Sequence, residues 1–69
     1  MNELLEKPIQ VYYQNWRGES AWRTIIPRGI YFGVTEYHQE PQWLLEVWDL
    51  EKEAVRVYSM ADIREWNFN

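Results

Sequence analysis

Five of the seven cationic side chains in this 69-residue sequence are arginines, at positions 17, 23, 28, 56 and 64. A guanidinium is a rigid, always-charged fork suited to phosphate or carboxylate, and it stacks on aromatic rings. Arg23 falls in the run AWRTIIP, facing opposite to Trp22, Thr24 and Ile26, and Arg56 falls in AVRVYSM on the face of Tyr58 and Met60. Interleaved with Tyr13, Trp43 and Tyr58, these two arginines form a set that can hold phosphates while the rings stack on bases, at roughly 1–3 kcal/mol per base. Arg17 and Arg28 flank turns and extend the electrostatic reach of that set. A competing reading pairs Arg56 with Glu46 across adjacent strands, at roughly 0.2–1 kcal/mol, and leaves Tyr58 and Trp43 as core.

Other chemistries find little footing. His38 is the only histidine and stands in a loop between Tyr37 and Gln39, where an exposed side chain is expected. One histidine and no cysteine cannot build a closed zinc site. Ser20 and Ser59 lack any nucleophile signature near them, and the glycines at 18, 29 and 33 make no phosphate-cradling loop. No enzymatic activity and no cofactor are expected.

The overall charge of −4 conceals an asymmetry. Residues up to Arg28 carry four positive and three negative side chains, whereas those from Gly29 onward carry three positive and eight negative. Nucleic-acid binders are usually basic overall, so any such contact here rests on a local cluster. A chain of this size buries only about 60% of its unfolded surface. Without disulfides, its core depends on the five Trp, five Tyr and two Phe. No apolar run approaches the ~20 residues of a membrane span, and MNELLEKP lacks the regions of a signal peptide. A cytoplasmic protein with no membrane contact is expected.

The elements that must position these residues are short. NELLEK reads as one or two helical turns capped by Asn2 and ended before Pro8. PIQVYYQNW is a period-2 strand, with Ile9, Val11 and Tyr13 on one face. NWRGES is a turn centred on Gly18. AWRTIIP is a second strand ending at Pro27, which cannot donate to a ladder. RGIYFGVTEY is a third, with a bulge or bend expected at Gly33. After the loop HQEPQ, WLLEVWD is a fourth strand. LEKE is a turn and AVRVYSM a fifth strand, while MADIREW closes with a turn of helix or 3₁₀ before NFN frays.

Within WLLEVWD, Trp43, Leu45 and Val47 share the core-facing side, which leaves Leu44 and Trp48 on the other. Five short strands in one all-β domain spanning residues 1–69 predict a small, strongly bent barrel of SH3 or Sm type. The second face is then covered by the N-terminal helix or a neighbouring subunit. Five tryptophans exceed what so small a barrel encloses, so Leu44, Trp48 and Trp66 (beside Phe68) are candidates for a protein partner or homo-oligomer interface.

The order of these features resembles the WYL domain. VYYQNWRGES matches that family's opening strand and glycine turn, and RTIIP matches its arginine four residues before a proline. WLLEVWD stands at the name-giving triplet and its trailing aspartate, and VRVYSMADI matches an arginine, an aromatic two residues later and a closing isoleucine. The likeness covers residues 9 to 64. The triplet itself reads Trp43-Leu44-Leu45, with Leu44 in place of the family's tyrosine. The resemblance implies an Sm-like or SH3-like ligand-sensing module that binds a nucleotide or single-stranded nucleic acid in a regulatory role. In that family it usually sits behind a helix-turn-helix, for which 69 residues leave no room. The alternative expectation is a protein-interaction or oligomerisation module that uses exposed tryptophans and binds no nucleic acid.

Overall fold

The structure, a computed structural model, describes residues 7–68. The expected N-terminal helix lies outside those residues, apart from Lys7. Five antiparallel strands form one sheet: β1 (Ile9–Gln14), β2 (Ser20–Gly33), β3 (Gln42–Asp49), β4 (Ala54–Ser59) and β5 (Ile63–Asn67). Their order across the sheet is β4-β3-β2-β1-β5, and a 3₁₀ turn, Met60–Asp62, joins β4 to β5.

The β1–β2 and β3–β4 turns are built by side chains acting as acceptors. Asn15 Oδ1 takes the backbone N–H groups of Arg17 and Glu19, each at 2.9 Å, around Gly18 in the left-handed region at φ +84°. Asp49 Oδ1 takes those of Glu51 at 2.9 Å and Lys52 at 3.1 Å in the β3–β4 turn. That turn puts Glu53 at φ +54°, a conformation that costs a residue bearing a Cβ.

The core is one face of the sheet. Ile9, Val11 and Tyr13 from β1 pack with Ile25, Leu45, Val47, Tyr58 and Ile63. The period-2 pattern of β1 therefore reads correctly into three dimensions. Trp43 does not join this core: it is 58% exposed near the outer end of β3, edge-on to Phe32 at 5.3 Å. Leu44, on the face away from the core, is fully buried within the chain. Trp48 is half-buried on that same face.

Three expectations need correcting. Pro27 does not end a strand. β2 runs through it for 14 residues, with the irregularity at Pro27–Gly29, where Arg28 is the extra residue opposite Val47 and Glu46. A proline that lacks its ladder N–H fits at such a bulge. The expected break at Gly33 is instead the end of the strand. The C-terminal segment also does not stop at its 3₁₀ turn, because Ile63–Asn67 pairs with β1.

The sheet is strongly curled but does not close into a barrel. A second register shift, opposite Tyr12 and Tyr13, bends the β1–β5 pair, and bulges of this kind sharpen local twist. The curl brings the rings of Tyr13 and Tyr58 into a stack at 3.9 Å and 12°. Closure would need β4 to pair with β5. The three-residue 3₁₀ turn carries the chain past that position to the far side of β1, which leaves β4 and β5 as the two edges among the described residues.

Candidate functional site

Curling leaves an open cleft of about 600 Å³ between β4, the first half of β2 and the two loops that follow β1 and β2. Arg23 reaches it because its Cα partner on β1 is Val11, so Arg23 shares the core-facing side beyond the apolar cluster. Arg56 reaches it in the same way from opposite Val47. Two arginines from strands that are not neighbours thus open into one cavity, whose floor includes Tyr13 and Tyr58.

The floor is held by a buried polar contact. Tyr58 donates its hydroxyl to Asp49 Oδ2 at 3.1 Å. Burial, then the adjacent Asp49 carboxylate, pushes the Tyr58 phenol well above its usual value, and burial raises that of Tyr13 as well. Both are neutral at physiological pH. Asp49 itself is 2% exposed, and its carboxylate accepts from the Tyr58 hydroxyl and from two backbone amides. It serves the fold rather than a ligand.

The rim is aromatic. Trp16 and Tyr37 stack at 5.6 Å and 18°, joining the loop after β1 to the loop after β2. The second loop is tightly folded: Thr35 Oγ1 accepts the backbone N–H groups of Tyr37 at 3.2 Å and His38 at 3.0 Å. His38 is not the exposed residue the sequence suggests. Its Nδ1 lies 3.3 Å from Thr35 Oγ1 and its Nε2 lies 3.4 Å from Asp62 Oδ2, pinning the loop to the 3₁₀ turn.

Of the arginines read from the sequence, two are brought together and two are not. Arg17 lies over the Trp16 ring at 5.1 Å, at the rim. Arg28 sits in the β2 bulge and pairs with Glu46 at 3.4 Å. The Arg56–Glu46 pair of the competing reading does not form, because Val57, not Arg56, stands opposite Glu46. Arg23 is held by Glu51 at 3.5 Å. Among the described residues neither Arg56 nor Lys52, a further cation of the cleft, makes an ion pair.

Sequence reasoning missed Trp16, Tyr37 and Lys52 as parts of the site. All three stand in loops or turns, where no periodicity assigns a face. The interface candidates are scattered. Leu44 has no exposed surface, Trp48 is on the outer face, and Trp66 lies opposite Val11 with its ring stacked on Phe68 at 5.9 Å.

Among the described residues no group of three or more His, Asp or Glu side chains is placed to hold a metal ion, and no helix is long and apolar enough to cross a membrane. No family model, curated protein sequence or solved structure matches the chain.

Proposed function

We propose that this chain is a non-catalytic binding module whose cleft takes a nucleotide or the end of a short single-stranded nucleic acid. The observation that carries this reading is the convergence of Arg23 and Arg56 on one cavity with an aromatic rim. Phosphate bonds to the two guanidiniums, and a base stacks against the exposed Trp16–Tyr37 pair. The ligand is short. Of the other arginines read into the site, Arg28 is paired with Glu46 and Arg17 alone adds charge at the rim, over the Trp16 ring.

The same reading places the chain with WYL-type domains of SH3/Sm-like architecture acting in regulation. Its support is the motif order over residues 9 to 64 and the strand order β4-β3-β2-β1-β5 with a 3₁₀ turn before the last strand. Anisotropy titrations of labelled single-stranded DNA and RNA at two salt concentrations test it, because phosphate contacts impose a salt dependence.

A second reading has an observation of its own. Ile30, Phe32 and Trp43 are each more than half exposed and share one face where β2 pairs with β3. Association of two copies through this strip would make sedimentation concentration-dependent, with Trp43→Ser abolishing the effect.

A further inference from the structure

Among the described residues β4 is an edge strand, with β3 on one side and no strand on the other. A strand that lines a cavity with one face contributes every second residue. β4 contributes four in succession, Val55, Arg56, Val57 and Tyr58. The cleft therefore meets the open hydrogen-bonding edge of β4 as well as its inner face.

In an antiparallel ladder, alternate residues direct their backbone groups to opposite sides. The Val55 carbonyl accepts from the Arg56 guanidinium, Nη1 lying 3.3 Å away. That contact puts Val55 on the outward register and, by alternation, Val57 with it. An edge of this kind is a template for an added strand.

Charge selects what is added. The Asp49 carboxylate is occupied by three internal donors. Lys52 and Arg56 make no ion pair among the described residues. A second copy of β4 paired antiparallel through Val55 and Val57 would set Arg56 directly opposite another Arg56, which is destabilising. An acidic strand meets the opposite situation.

We propose that the open edge of β4 takes an extended acidic peptide as an added strand, pairing its backbone with Val55 and Val57 and its carboxylates with Arg56 and Lys52. Arg56 would then serve both this peptide and the nucleotide proposed above, so the two ligands compete. The edge itself requires no nucleotide.

The probe is a capped octapeptide of alternating valine and glutamate, titrated into the isotope-labelled chain without nucleotide. At saturation the Val55 and Val57 amide resonances shift, and their hydrogen exchange slows by at least about tenfold. Two further peptides carry N-methyl groups on alternate residues, one on the valines and one on the glutamates. One keeps its affinity and the other loses at least about tenfold, because only one set of amides faces the edge. A peptide with lysine in place of glutamate does not bind. The proposal is overturned by no shift at millimolar peptide, by equal binding of the two methylated forms, or by equal binding of the lysine form. Because nucleotide is absent, none of these outcomes bears on the nucleotide reading.

Discussion

Tyr13 and Tyr58 stack at 3.9 Å although β2 and β3 lie between their strands in the sheet. This contact spans the curl of the sheet, and the cleft lies beside it. Arg23 and Arg56 are brought to one cavity by the same curvature that brings these rings together.

Removing the Tyr58 hydroxyl isolates the polar part of that arrangement. Tyr58→Phe keeps the ring stack but takes one donor from the buried Asp49 carboxylate. A hydrogen bond to a charged group contributes about 1.5–3 kcal/mol, and a loss in that range is expected in urea unfolding followed by circular dichroism.

The same residue gives the fold an alkaline limit. Tyr58 and Tyr13 ionise above their ordinary value of 10.0 in the folded chain, chiefly because they are buried. The unfolded chain loses these protons first, so the stability they contribute is present below pH 10 and falls as pH rises past it. Urea midpoints measured from pH about 8 to about 11 should decline above the ordinary phenol value, and less steeply in Tyr58→Phe.

Glu53 carries a local cost. At φ +54° it occupies the left-handed region that glycine adopts freely. Glu53→Gly is expected to raise stability by about 0.5–1 kcal/mol, measured as a higher thermal midpoint with an unchanged circular dichroism spectrum.

Leu45 and Trp43 separate what the alternating pattern of β3 reveals from what it hides. Leu45→Ala should cost about 2–5 kcal/mol, as expected for a buried core truncation. Trp43→Ser should cost within about 1 kcal/mol, since that ring is mostly exposed and loses chiefly its contact with Phe32. Comparable losses for the two would place Trp43 back in the core.

Local rules made much of the fold legible. Alternation in IQVYY identified the buried side of β1, and Gly18 marked its turn. Where reading failed, tertiary context decided. Pro27 looks like a strand terminus, yet a bulge accommodates its missing N–H and lets β2 continue. Residues 63–67 lack a clean alternating pattern and become a strand because β1 offers them an edge. One merged strand and one added strand leave the count at five. Convergence of Arg23 and Arg56 with Tyr13 and Tyr58 was readable from the faces they occupy. The part played by Trp16, Tyr37 and Lys52 was not, because it depends on how the sheet curls.

Glu51 offers a gain-of-binding test of the cleft. It holds Arg23 at 3.5 Å, in an exposed pair that a phosphate bound as proposed would have to replace. Such pairs contribute about 0.2–1 kcal/mol, so Glu51→Gln should tighten ligand binding by up to about fivefold. Calorimetric titration of the two proteins with the same ligand checks this.

The most direct measurement is fluorescence anisotropy of a labelled short oligonucleotide with the wild-type chain and with Arg23→Ala, Arg56→Ala and Arg28→Ala. The expected result is salt-dependent binding, weakened roughly 10- to 100-fold by Arg23→Ala or Arg56→Ala, and changed less than about twofold by Arg28→Ala. No binding at low salt, or equal losses in all three variants, would contradict the assignment of the cleft.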